Sequence, residues 1–319
     1  MFGYGASCAQ IDARQRVIEL LRSVGLGEKI DAPVRISTTD SGLICIADEG
    51  DFFTQYVIME LQNRAETNIV MESNLSIPSR CTKAVIVTHG WIDEAFGSWP
   101  ADIAGAISQR VDPNEWVCGF FDWTGGAAAA SPVDAAKYAR DVAGPRLAEA
   151  ISKLNIQFEH VHLIAHSAGC WAINNAAKQI TGDTGAEIHL TFLDAYVPPF
   201  WKEDDLGKIE AAGWVDHYYT KDITLAATHI DLSGAHNVDI TDIDEAVKNH
   251  KFPYRWYYAT VAGSYRPTDR ERDQKVITRS GNLDYGFERS REAGQDNWSK
   301  SLTLRKGRKA VQIVKGLKE

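Results

Sequence analysis

Ser167 lies in the pentapeptide AHSAG (165–169), behind the apolar run VHLI and ahead of a helical pattern. A serine hydroxyl is a weak nucleophile near neutral pH and needs an adjacent base. The spacing is that of G-x-S-x-G with alanine in the first glycine place. In that motif a strand turns sharply into a helix, and the strained turn lifts the hydroxyl above the sheet. The residues two before and two after the serine must be small, because strand and helix cross there. Gly169 meets the requirement outright, and Ala165 adds one methyl. An unremarkable serine in a βα turn is the competing explanation of the same five residues.

When a serine of this kind is a nucleophile, its partners follow in the order Ser, acid, His. Asp194 ends the apolar stretch TFLDA, 27 residues after Ser167; Asp216 and Asp222 are its rivals. Of nine histidines, His89, His160, His162 and His166 precede or abut the serine, and His189 alternates along a strand. His217, His229, His236 and His250 are left as candidate bases, and position alone favours His250, in KNHKFPYRWYY, only modestly over His236. An oxyanion needs two N–H donors. The residue after the nucleophile, Ala168, supplies one, and the turn THGW (88–91) offers the N–H of Trp91, with Gly90 leaving the backbone room.

These residues must be carried by elements that bring distant chain positions together. VRIST, LICIA, YVIMEL and NIVME read as strands between residues 32 and 78, after an amphipathic helix over 12–24. Then KAVIVTHG (83–90), EWVCGFFDW (115–123), HVHLIAH (160–166), EIHLTFLDA (187–195) and WVDHYYT (214–220) alternate with helical patterns at 101–110, 132–154 and 168–180. Continuous apolar strands alternating with helices predict an α/β fold with a mostly parallel central sheet and helices on both faces. Ligand sites in such sheets lie beyond the carboxyl ends of the strands, where Ser167, Asp194 and the THGW turn all fall.

Composition narrows the function classes. The chain has 319 residues and a formal net charge of −9, which argues against nucleic acid as the main partner. No apolar run approaches the ~18 residues of a membrane span. The opening MFGYGASCAQIDARQ has neither a basic leader nor an apolar stretch, so it does not read as a signal peptide. Five scattered cysteines (Cys8, Cys45, Cys81, Cys118, Cys170) form no disulfide framework or zinc-ligand spacing and read as reduced thiols. Residues 267–319 hold 13 Lys/Arg against 8 Asp/Glu, whereas 1–266 are strongly acidic. We therefore expect an α/β catalytic domain over 1–266 and a basic C-terminal extension over 267–319, packed on it or trailing from it.

Four segments resemble one family, the pancreatic-lipase-like group of α/β hydrolases, which includes triglyceride lipases and phospholipases A1. VIVTHGWID (85–93) resembles its oxyanion turn, and FFDWTGGAAAASPVDAAKYARDVAGPRLAEAI (120–151) its DW-bearing strand, loop and helix. VHLIAHSAG (161–169) resembles the elbow, and NHKFPYRWYY (249–258) the stretch around the catalytic histidine. The resemblance covers roughly residues 80–260. It implies an α/β-hydrolase fold, the triad Ser167, Asp194 and His250, and an oxyanion hole from Trp91 and Ala168, with no cofactor and no metal. It departs from the family in its alanine-first elbow, in lacking a cysteine-bounded lid and in the short Asp194–His250 span of 56 residues. The 53 residues after 266 are too few for the family's C-terminal lipid-binding domain. These departures point to an open site and to a soluble or phospholipid ester rather than emulsified triglyceride.

The expected partner is thus a small-molecule or lipid acyl ester. A thioesterase, amidase or polyester hydrolase of the same fold, and a non-catalytic binding protein, are the alternatives. His160 and His162 could share a strand face as metal ligands do, but strand packing is the expectation. DITDIDE (239–245) reads as a solvated acidic turn. Trp91, Trp171 and Phe200 are candidates for an acyl pocket, with core packing the alternative for Trp171.

Overall fold

The apolar run KAVIVT becomes a buried central strand, and the elements that follow are laid on either side of it. The computed structural model describes residues 33–53, 67–73, 75–93, 98–202, 205–209, 212–221, 230–242 and 250–265, the short strands 277–278 and 302–305, and positions 16, 19, 20, 23, 55 and 228. Along the chain come β1 (Val34–Thr38), β2 (Ile44–Asp48), β3 (Ile69–Met71), β4 (Lys83–Thr88), α1 (Trp99–Ser108), β5 (Trp116–Asp122) and the short α2 (Thr124–Ala127). There follow α3 (Pro132–Tyr138), a π-helical turn (Ala139–Ala143), α4 (Gly144–Lys153), β6 (His160–His166), α5 (Gly169–Thr184), β7 (Glu187–Leu193) and β8 (Ala212–Tyr219). Last are β9 (His236–Asp242), α6 (Phe252–Ala262), β10 (Ser264–Tyr265), β11 (Ile277–Thr278) and β12 (Leu302–Arg305).

Among the described residues, one ten-stranded sheet runs in the order β12-β9-β8-β7-β6-β4-β5-β2-β1-β3. Only β1 and β2 pair antiparallel in it; the other neighbours are parallel. β10 and β11 make a separate antiparallel pair. The chain leaves β4 for β5 on one side, then crosses to β6 on the other. That reversal of strand order opens a crevice at the carboxyl ends of β4 and β6.

Side chains alternate between the two faces of this sheet. Val161, Leu163 and Ala165 of β6 join a core with Ala135, Leu147 and Ala172 of α3, α4 and α5. Ile164 of the same strand joins a second core with Ile103 and Ile107 of α1 and Tyr257 and Val261 of α6. Helices therefore cover both faces, as the α/β alternation predicts. Among the described residues no helix is long and apolar enough to cross a membrane.

Several local expectations change. The single helix expected over 132–154 is interrupted by the π turn ahead of Pro145. Proline has no N–H to return to the preceding turn. The carbonyl of Arg140 instead accepts the side-chain amide of Asn175 on α5. Part of the acidic stretch DITDIDE is not a solvated turn: Asp239–Asp242 belong to β9, with Val238 and Ile240 buried. Asp239 is itself buried against Lys221 Nζ at 2.8 Å. Burial alone would raise its pKa, but hydrogen bonds to Lys221 and Thr241 hold it below the ordinary value. The aromatic run FPYRWYY is a helix, with Pro253 in its first turn and Gly263 as its left-handed cap. The strand expected at YVIMEL, and the 12–24 helix except for helical positions 16, 19, 20 and 23, lie outside the described residues.

Candidate active site

β6 ends at His166, and the next residue turns the chain into α5. Ser167 occupies that turn with φ 55°, the left-handed region disfavoured for a residue with a side chain. Its N–H donates to Leu193 O at 3.0 Å, and its carbonyl accepts from Cys170 at 3.2 Å and Tyr196 at 3.3 Å. The strained conformation is thus held from both β7 and α5. The small-residue rule is visible in the packing. A methyl added to Gly169 would stand 2.0 Å from the carbonyl oxygen of His89. One added to Gly90 would stand 2.9 Å from both His166 O and Ser167 Cβ. The turn after β4 therefore lies directly against the serine.

That turn is fixed to the β5 side by its own side chains. The Trp123 backbone N–H donates to His89 Nε2 at 3.0 Å, and its indole N–H to His89 O at 3.1 Å. The two rings stack with centroids 5.2 Å apart. Trp91 Nε1 donates to Ala129 O at 2.8 Å, and the Ile92 N–H to Ala127 O at 3.0 Å. Among the described residues, no backbone carbonyl takes the N–H of Trp91 or Ala168.

Asp194 follows β7 directly and is fully buried, with φ 50°. Its N–H donates to Tyr218 O at 2.7 Å, and its Oδ1 accepts the N–H of Thr220 at 2.9 Å. Its Oδ2 is 2.5 Å from His250 Nδ1. A carboxylate there fixes the imidazole tautomer that leaves Nε2 free to accept a proton. The next peptide is held as well. The Ala195 N–H donates to His217 Nε2 at 3.2 Å, and His217 Nδ1–H donates to Asn237 Oδ1 at 3.1 Å. Burial lowers the pKa of His217 to about 4, so it stays neutral and able to accept.

The rivals fall elsewhere. Asp216 is buried under α6, accepting from Thr191 Oγ1 at 2.6 Å, with His189 Nε2 at 3.3 Å. His236 is buried in β9 beside Trp214, while His217 holds Ala195; Asp222 and His229 lie outside the described residues. His162 stacks on His189 with centroids 3.5 Å apart and meets Thr191 Oγ1 at 2.8 Å, a packed and hydrogen-bonded strand residue. Trp171 is a core side chain, donating to Tyr196 O at 2.8 Å and packed on Trp201, and Phe200 stands fully exposed. Of the acyl-pocket candidates, Trp91 is half-buried and follows Gly90, whose backbone lies against Ser167. Cys45, Cys81, Cys118 and Cys170 are free and buried, and burial pushes the thiols of Cys45 and Cys118 up to about 11 and 12.

The supporting roles of His89 and His217 were not visible in sequence order, which ranks histidines only as bases. The HG pair of THGW was the available signal for His89; for His217 there was none beyond its place on a strand.

A mostly parallel sheet with a strained serine at the end of β6 defines the α/β-hydrolase class. A family model described as Lipase matches residues 52–228, more than half of the sequence. The chain belongs to the lipase family. It is 28% identical over 162 residues to pancreatic triacylglycerol lipase of Cavia porcellus, a stretch covering 49% of this chain and 32% of that one. It is 30% identical over 145 residues to pancreatic lipase-related protein 2 of Sus scrofa, covering 44% and 28%. With the human pancreatic lipase-related protein 2 it shares 29% over 167 residues, covering 50% and 33%. The chain spans about a third of the length of the curated relatives it matches. Ser167 and Asp194 lie inside the family match, and His250 lies beyond it.

Proposed function

We propose that the chain is a serine carboxylic ester hydrolase acting through an acyl-enzyme, with Ser167, Asp194 and His250 as its triad. The observation that carries this reading is the 2.5 Å Asp194–His250 contact, together with a left-handed serine at the end of β6. Ser167 attacks the acyl carbonyl as His250 Nε2 takes its proton. Asp194 keeps the imidazole in register and stabilises the imidazolium. The N–H groups of Trp91 and Ala168 receive the oxyanion, and each such donor is worth about 10²–10³ in rate. His250 then protonates the leaving alkoxide. A water, deprotonated by the same nitrogen, releases the acid and frees Ser167.

The substrate we infer is a soluble or phospholipid ester rather than emulsified triglyceride, given the short span of 56 positions from Asp194 to His250. Residues 1–266 act as the catalytic unit in this reading. The basic segment 267–319 is its extension, with its strand at 302–305 added beside β9 on the sheet edge.

The test is hydrolysis of p-nitrophenyl butyrate by the wild type and by Ser167→Ala. The expected result is turnover by the wild type and a loss of about 10⁴-fold or more in the variant. Equal turnover by both would overturn the reading.

A further inference from the structure

The residue before the nucleophile has a role that the order Ser, acid, His does not give it. His166 is buried, and its Nε2 lies 2.8 Å from the backbone carbonyl of His250, 84 residues away in the chain. A carbonyl can only accept, so Nε2 carries the proton and donates. The first carbonyl in the ladder of α6 is that of Lys251, which takes the N–H of Arg255 at 3.5 Å. The His250 carbonyl therefore lies just outside the helix ladder and needs a donor from elsewhere in the fold. The His166 imidazole supplies that partner.

The His166 ring is itself held. Tyr254 meets it edge-on with centroids 5.1 Å apart, and Trp99 does so at 5.8 Å. Trp99 and Tyr254 stack on each other at 4.3 Å, and Trp99 Nε1 is anchored on Asp93 at 2.8 Å. The His250 ring packs against the His166 ring at 4.4 Å. On the opposite side, a methyl added at Gly90 would come 3.5 Å from His166 Nδ1. One side chain thus touches the oxyanion turn, adjoins the serine and holds the backbone of His250.

We propose that His166 is a positioning residue, whose Nε2–H fixes the His250 main chain relative to Ser167 so that nucleophile and base share one reference point. The proposal deepens the ester-hydrolase reading and rests on it. Burial and the neighbouring His250 push the pKa of His166 well below the ordinary value, so the ring adds no fixed positive charge beside the base.

The experiment compares His166→Phe, which keeps an aromatic ring but no donor, with His166→Gln. The Gln amide nitrogen stands as many bonds from the backbone as His Nε2. With p-nitrophenyl butyrate, His166→Phe is expected to lose on the order of 10²-fold in kcat, the scale of a misplaced catalytic group, with KM within about 3-fold. His166→Gln is expected to recover most of the lost kcat. The second readout is the deshielded proton NMR signal of His250 Nδ1–H on Asp194, expected to broaden in His166→Phe and to return in His166→Gln. Full kcat in a folded His166→Phe would overturn the proposal. So would a His166→Gln that folds but is as slow as a folded His166→Phe, or, if the Phe variant does not fold, as slow as His250→Ala. A wild type that hydrolyses no ester would instead sink the ester-hydrolase reading. The NMR comparison would then still show whether His166 holds His250.

Discussion

Ser167 and Asp194 sit at φ 55° and 50°, so the two residues assigned as nucleophile and acid are both held where side chains are strained. Such strain persists only where neighbours enforce it. The enforcement at Ser167 depends on Gly169 and Gly90, whose missing side chains let the β4 turn press on the elbow. Gly169→Ala would place a methyl 2.0 Å from a backbone carbonyl. It is expected to cost about 1–3 kcal/mol of stability, with loss of esterase activity in the folded fraction; thermal melting and turnover together check this. An alanine variant with wild-type melting and wild-type kcat would remove the crossing argument. Much of the candidate site was legible at this scale. AHSAG encodes its own turn, and TFLDA places its aspartate by ending a strand. His250 was not separable from His236 by position, because the contact with Asp194 joins residues 56 apart, with β8 and β9 between them, and no local pattern describes it. Only the likeness of NHKFPYRWYY to the family stretch distinguished them.

Among the elements, strands with continuous apolar runs were the most legible: HVHLIAH matches β6 residue for residue. β9 was missed because attention to its carboxylates hid the period-2 alternation of His236, Val238 and Ile240. α6 was missed because a run of aromatics has no polar face to mark a helix, although Pro253 and Gly263 bracket it. The element contact least visible in sequence is a buried ion pair. Asp48, at the end of β2, meets Arg146 of α4, and both side chains are essentially inaccessible. Asp48 also accepts from the Gly50 N–H at 2.9 Å and Tyr138 Oη at 3.1 Å, and Arg146 reaches Gln55 at 2.5 Å. Nothing in the spacing of residues 48 and 146 announces this pair. Removing one partner strands a buried charge, which costs about 3–5 kcal/mol. Asp48→Ala is therefore expected to lower the unfolding free energy measured by denaturant titration by that amount, and a change under about 1 kcal/mol would show that the pair does not tie β2 to α4.

At the scale of the whole molecule, the net charge of −9 averages a strongly acidic 1–266 with a basic 267–319. The more consequential charge property is internal. His162, His166, His217 and His236 are buried and held below the ordinary histidine pKa, chiefly by burial. The unfolded chain takes up protons as pH falls through about 6.5, whereas folded His217 does so only near 4. Stability from these groups is therefore complete above about pH 6.5 and is lost as pH falls from there towards 4. His217 alone accounts for about 3 kcal/mol of that loss. Denaturant titrations at pH 7.5, 6, 5 and 4 are expected to show a steep decline below pH 6.5, and a level profile would contradict it. Activation of Ser167 by this fold is put to the test by exposing the whole protein to a fluorophosphonate and mapping the adduct by mass spectrometry. Near-stoichiometric labelling of Ser167 that slows by orders of magnitude in His250→Ala is expected; an unlabelled Ser167 in folded protein, or labelling indifferent to His250, would overturn the assignment.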